Sequence, residues 1–257
     1  MYQAMMTAAT GLQNQQRRLD TIANNVANVN TLGFKSVRLD FKDALYSAGI
    51  VPGPARTPEG NQQRGHGLML AGTAKDYRNG NLQSTEGKLD LALEGDGFFE
   101  LGDLEGNIFY TRNGNFSLSI EPDGNYIVTG EGLYLLDADG MRILVPDLTE
   151  DISINHDGII TFTVGGEQAA ASIGVYTFRN ITGLLSAGNS TYTTSEASGE
   201  RLQADGTLVL QGMLEGSNVN LAEEMTRMIR TQRAFQLASR ALSTADEMEG
   251  IANNMKR

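Results

Sequence analysis

Two histidines, His66 and His156, are the only imidazoles in the 257 residues, and cysteine is absent. His156 sits in Asn155-His156-Asp157-Gly158, residue types that favour a tight turn, and His66 follows a Pro- and Gly-rich stretch. A Ser–His–Asp arrangement can assemble from distant segments, but a turn histidine beside Asp-Gly reads as a solvated side chain. Without thiolates, neither a disulfide nor a zinc–thiolate site can form. Asp137-Ala138-Asp139-Gly140 resembles the start of a calcium loop but lacks the ligand spacing and the closing Glu. Gly130-Glu131-Gly132 is too short to cradle a phosphate, and no dinucleotide fingerprint follows a strand. Carboxylates are abundant, yet nothing in the pattern marks two of them as a glycosidase pair. No catalytic, cofactor-binding or metal residue is assigned, and the chain does not read as an enzyme.

The elements that would have to position any such group are unevenly built. Both ends read as long amphipathic helices, whereas the residues between them read as short strands and glycine turns. The net charge of −11 is uneven too. Residues 1–35 sum to +2 and residues 221–257 to +1, which leaves −14 on the middle. Near-neutral ends can pack against copies of themselves, and an acidic middle suits a hydrated outer surface. No basic stripe exists to neutralise phosphates, so a nucleic-acid partner is disfavoured. No cleavable secretory leader is visible and no stretch is apolar enough to span a membrane, so export, if it occurs, is expected to bypass the general secretory route.

In the first helix Met5, Leu12, Leu19 and Val26 recur every seven residues. Ala8, Gln15, Ile22 and Val29 form a weaker second seam, an a/d-like heptad with one polar defect. Helix is expected to stop near Asn30, because Asn is a poor interior residue and Gly33 can take the left-handed conformation. Asn24, Asn25 and Asn28 are candidates for setting register, since a seam amide must find a partner. In the last segment Asn220 is placed to cap a helix, with Glu223 three residues on and Arg227 four beyond that. Leu221, Met225, Met228, Phe235, Leu242, Ala245 and Ala252 form its stripe, interrupted by Gln232. The spacing predicts a helix of roughly 50 Å, longer than one domain's core needs.

The expected fold class is therefore α+β: a discontinuous, coiled-coil-like pair of terminal helices (1–35 with 218–257), a linker or extended arm (36–75), and a central, mainly antiparallel β domain (76–217). The linker region could begin with a strand or a short helix around Val37–Tyr46. Its Pro52, Pro54 and Pro58 suit either an extended arm or a loop. In the middle, β-rich runs alternate with Asn113-Gly114, Asp123-Gly124, Asp139-Gly140, Asp157-Gly158 and Asp205-Gly206, which predicts about eight to ten antiparallel strands.

Three ordered stretches resemble one family. Asn24-Asn25-Val26-Ala27-Asn28-Val29-Asn30-Thr31-Leu32-Gly33-Phe34-Lys35 is similar to the N-terminal signature of bacterial flagellar rod and hook proteins. Gly95-Asp96-Gly97-Phe98-Phe99 followed by Tyr110-Thr111-Arg112-Asn113-Gly114-Asn115-Phe116 resembles their central part. Gln211-Gly212, Ser217-Asn218-Val219-Asn220, Glu223-Glu224-Met225, Gln232-Arg233-Ala234-Phe235 and Thr244-Ala245-Asp246-Glu247-Met248 resemble their C-terminal part. The length points to the distal-rod members or their proximal-rod relatives, and the Gly-Asn-Leu-Gln-Ser-Thr run at 80–85 with the C-terminal match leans towards the distal rod, while 46–75 departs from the distal-rod pattern.

The resemblance implies an extracytoplasmic structural subunit of the basal body, without cofactors. Such a subunit is exported unfolded by the flagellar type III apparatus on an uncleaved signal. It self-associates into a hollow helical shaft, and its other partners are rod, hook and surrounding ring or bushing proteins. It also implies that Leu12, Leu19, Ile22, Val26, Leu221, Met225, Met228, Gln232, Phe235 and Leu242 carry helix packing. Asn24, Asn25 and Asn28 would set register, and Gly33 and Phe34 would turn the chain into the outer domain. Two rival classes remain: an exported cell-wall hydrolase, which needs a cleft with two carboxylates, and an extracellular coiled-coil binding module, which would form a small oligomer instead of a filament.

Overall fold

The computed structural model describes residues 2–44, 46–49, 62–65, 67–147, 149, 151–165, 167–204 and 206–255. His66 and the proline-rich stretch lie outside them. The chain forms two compact units: residues 1–27, 37–74 and 220–257 make a helical unit, and residues 28–36 with 75–219 make a β unit.

In the helical unit, α1 spans Tyr2–Ala27 and α2 spans Leu221–Asn254. At 34 residues α2 is about 51 Å long. Asn220 caps it: its side-chain oxygen accepts from the backbone N–H of Ala222 at 3.1 Å and of Glu223 at 3.3 Å. Glu223 does not reach back to the cap; its carboxylate takes the Arg227 guanidinium at 2.6 Å, four residues on. The two helices pack along each other, the last turns of α1 beside the first turns of α2. On α2 the covered face runs through Glu224, Met228, Thr231, Phe235, Ala238, Leu242, Ala245 and Glu249, in alternating steps of four and three. That is a coiled-coil seam. On α1 it includes Leu12, Leu19 and Val26, half-buried, with Asn14, Ile22 and Asn25 fully buried.

After α1 the chain returns to this unit as strands. β1 (Val37–Asp43) pairs with β4 (Leu68–Lys75), and β2 (Tyr46–Gly49) pairs antiparallel with β3 (Gln62–Gly65). Of the two local conformations the sequence allowed after Val37, the described residues take the strand. Alternation decides it: Val37, Leu39 and Phe41 are half-buried while Arg38, Asp40 and Lys42 face water, a period of two and not of 3.6.

The β unit is built on a ten-stranded sheet, with a three-stranded sheet (151–154, 159–164, 167–172) and two short two-stranded ladders. The strands are shorter and more numerous than the turn spacing predicted, because glycine turns and bulges break the longer β-rich runs. Asn155-His156-Asp157-Gly158 is one such turn: Asn155 accepts from the backbone of Asp157 and Ile159, Gly158 has φ +78°, and His156 is exposed. Two apolar clusters form the core. The larger contains Leu93, Phe99, Leu101, Leu135, Ile160 and Phe162, each at most 1% exposed. The other is aromatic, with Phe98, Tyr110, Tyr176, Phe178 and Tyr192. Phe98 lies edge-on to Tyr192 at 5.6 Å, and Tyr110 to Phe178 at 4.8 Å.

Candidate assembly surface

The helical unit spends its buried amides on backbone. Asn25 Nδ2 donates to Val37 O at 2.8 Å, and its Oδ1 accepts from Val37 N at 3.0 Å. Asn14 Nδ2 donates to Leu68 O at 2.6 Å. One amide therefore pins the end of α1 to β1, the other pins its middle to β4, and both supply ladder bonds that strand edges would otherwise leave open. Asn24, one residue from Asn25, is exposed. Gln15, the polar defect of the sequence seam, keeps its side-chain oxygen buried without a partner.

The other face of α2 is unlike that of α1. Met225, Ile229, Leu237, Met248 and Ile251 are 49–65% exposed, outside the seam with α1. On the uncovered face of α1, Gln13, Gln16, Arg17, Arg18 and Asp20 stand in solvent, with Met6 as an apolar exception. Large apolar side chains left in water along one helix, here interspersed with Arg233, Arg240 and Glu247, mark a surface suited to burial against a partner. Of the residues singled out from sequence, Met228, Phe235 and Leu242 lie in the seam with α1, together with Leu12, Leu19, Ile22 and Val26. Leu221, Met225 and Gln232 are exposed outside it.

Within the β unit three charged side chains, Lys35, Arg112 and Glu215, are buried together. Lys35 Nζ donates to Glu215 Oε1 at 2.6 Å and to Arg78 O at 2.9 Å. Glu215 Oε1 also takes Gly80 N at 2.7 Å, while Arg112 approaches Oε2 at 3.5 Å. Arg112 donates further to Asn79 and to Gly95 O, and its guanidinium lies 5.2 Å from the Phe98 ring centroid. All three side chains are at most 2% exposed. Burial pushes the Lys35 amine and the Arg112 guanidinium down, and Glu215 opposes both shifts. Beside them Gly33 takes φ +65° and donates to Glu215 O at 2.8 Å. A Cβ there would lie 2.6 Å from Asn113 N, so conformation and space both demand glycine. Phe34 is half-buried, and Asn28 accepts from Thr31 Oγ1 at 3.1 Å in the turns after α1. Sequence reasoning picked out Lys35 and Arg112 as motif residues but missed Glu215. Its partners lie 103 and 180 positions away, and no local signal marks it.

A second polar cluster of the β unit centres on Glu100, fully buried, which accepts from Tyr110 OH and from Arg201. Burial first, and then Glu100, push the Tyr110 hydroxyl up to about 12. Both bonds go to Oε1, while Glu100 Oε2 is buried without a partner. Among the described residues no group of three acidic or histidine side chains could hold a metal, and no helix is long and apolar enough to cross a membrane.

Three family models match in chain order: the flagella basal body rod protein model over residues 5–35, the flagellar hook protein FlgE/F/G D1 domain over 92–162, and the flagellar basal body rod FlgEFG protein C-terminal model over 210–255. The flagellar basal-body rod protein FlgG of Borreliella burgdorferi is 38% identical over 272 aligned positions that cover all of both chains. That of Bacillus subtilis is 36% identical, again over all of both chains. A second Bacillus subtilis protein, the flagellar hook-basal body complex protein FlhP, is 30% identical over the full length of both. Likeness that runs unbroken from the helical ends through the β unit leaves one assignment: the chain belongs to the FlgG family of flagellar basal-body rod proteins.

Proposed function

We propose that this chain is a structural subunit of the flagellar rod, in which many copies polymerise helically into a hollow shaft that carries torque from motor to hook. The second apolar face of α2 carries this reading. A lone molecule has no use for Met225, Ile229, Leu237, Met248 and Ile251 in water, whereas a polymer covers them. Leu221, Gln232 and Asn24 share that exposure and complete the proposed contact set. The α1–α2 seam, through Phe235, Ile22 and Leu242, supplies the stiff rod-shaped element, and Asn25 fixes α1 against its strands.

In the finer reading the place is the distal rod, outside the cytoplasm, reached through the type III export apparatus on an uncleaved N-terminal signal. Neighbouring rod and hook proteins and the surrounding ring are the other partners. The described residues offer nothing that favours the hydrolase.

Phe235→Ala and Asn25→Ala test the reading in cells of the source bacterium. Both are expected to shorten or abolish the rod and to stop swimming, while the purified variants keep the melting of the β unit. Normal rods in both variants, seen by electron microscopy of basal bodies, refute it.

A further inference from the structure

Asn-Gly occurs twice in the chain, both times inside the same tetrapeptide: Arg78-Asn79-Gly80-Asn81 and Arg112-Asn113-Gly114-Asn115. In this dipeptide the glycine nitrogen can attack the preceding side-chain amide, because glycine has no Cβ to shield it. With identical neighbours in sequence, only the tertiary surroundings set the two pairs apart.

At the first pair, charged groups meet the reacting atoms. Gly80 N–H donates to Glu215 Oε1 at 2.7 Å, so a carboxylate sits on the proton that must leave. Asn79 Oδ1 accepts from the Arg112 guanidinium at 3.1 Å, so a cation sits on the oxygen that gains charge when the amide is attacked. Lys35 Nζ, 2.6 Å from the same Glu215 oxygen, holds the carboxylate in place. Antiparallel pairing of residues 82–84 with 213–215 brings Glu215 there. Packing requires glycine at position 80, since a Cβ would lie 2.0 Å from Gly216 O. Asn79 is exposed, so water reaches it. At the second pair Asn113 Oδ1 takes the neutral backbone N–H of Asn115 at 3.2 Å, and Gly114 is buried against Leu91 O.

We propose that Asn79-Gly80 is a self-modifying site: the folded β unit converts the Asn79 amide to a carboxylate, with Glu215 as base and Arg112 as oxyanion donor. Gly80 N attacks Asn79 Cγ while its proton passes to Glu215. The C–N bond of the side-chain amide then breaks, and the nitrogen takes up that proton and departs as ammonia. Water opens the resulting five-membered succinimide to aspartate or to its β-linked isomer. In sum, one amide and one water give one carboxylic acid and one ammonia, with no oxidant or reductant. The surroundings also favour the product. Lys35 and Arg112 are two buried cations that share the single buried carboxylate of Glu215. A carboxylate at position 79 gives Arg112 a second anionic partner.

The test uses the purified full chain at neutral pH, one sample folded and one unfolded in guanidinium chloride. Peptide mapping by mass spectrometry reads the exchange of ammonia for water at each Asn-Gly pair. Asn79 is expected to convert at least tenfold faster in the folded sample than in the unfolded one, whereas Asn113 converts no faster folded than unfolded. Conversion of Asn79 that is no faster in the folded chain overturns the proposal, because Gly80 is then merely clamped. An equal gain at Asn113 overturns it too, because the charges around Gly80 then add nothing. Glu215→Gln, shown to be folded by near-ultraviolet circular dichroism, is expected to lose the advantage at Asn79. A folded Glu215→Gln chain that converts as fast as the unsubstituted one overturns the role of Glu215. Where that variant does not fold, the two states of the unsubstituted chain decide alone. Asn79→Asp is expected to raise the denaturant midpoint of the β unit, and a lower midpoint overturns the pairing with Arg112.

Discussion

In the β unit Phe98, Phe99, Leu93 and Ile160 are fully buried, and even the charges of Lys35, Arg112 and Glu215 are sealed against one another; in the helical unit five large apolar side chains of α2 stand in water. The first region satisfies its apolar and polar groups within one chain. The second satisfies its amides, through Asn14 and Asn25, but leaves half of a helix surface uncovered. Burial of apolar area is the main driving force of folding and of most association. The difference therefore separates what the chain completes alone from what it leaves for a neighbour.

The sharpest way to break that contrast is Glu215→Ala. It strands two buried cations, so the β unit is expected to lose about 3–5 kcal/mol, read as a drop in its denaturant midpoint by near-ultraviolet circular dichroism. A loss below about 1 kcal/mol would mean that water reaches the cluster. In the helical unit Asn25→Ala removes both bonds to Val37 and leaves that residue's N–H and C=O unpaired. An expected cost of about 1–3 kcal/mol should appear as faster hydrogen exchange at the Val37 amide, and unchanged exchange would show that the amide is dispensable.

Alkali should select the β unit. Burial raises Tyr77 and Tyr110 to about 12, whereas the unfolded chain releases these protons near 10. The stability they contribute is fully present below pH 10 and is lost as pH rises towards 12. Denaturant midpoints of the β unit are expected to fall in that window, and a flat profile would place both hydroxyls in water. The smallest effect is expected where the contrast predicts almost none: Ile229→Ser should change the stability of the isolated chain by no more than about 0.5 kcal/mol, although it disables assembly. A large loss on melting would mean that Ile229 is covered within its own molecule.

Much of this architecture was legible beforehand. The Asn220 cap and the Glu223–Arg227 pair follow from neighbours within one turn, and the structure holds both; of the α1 heptad, Leu12, Leu19, Ile22 and Val26 are covered, whereas the helix ends at Ala27 and leaves Val29 in the following turn. The turn dipeptides announced an antiparallel β region for the same reason, since turn chemistry is local. The face of α2 was less legible. Met225 and Met228 look equivalent in a stripe, because the helix is apolar on two sides and periodicity cannot say which side meets α1. Asn25 stood out as an amide needing a partner, but its choice of Val37 depends on where the chain returns after the Gly33 turn.

By itself the sequence determined the class of the protein: helices at both ends, strands between them, and ordered motifs of a rod family. Only the tertiary structure decided that Lys35, Arg112 and Glu215 share one dry site, and that α2 keeps a bare second face. The physical reason is range. Propensity, capping and turn chemistry act over a few residues, whereas burial of a charge or exposure of a face is settled by segments far apart in the chain.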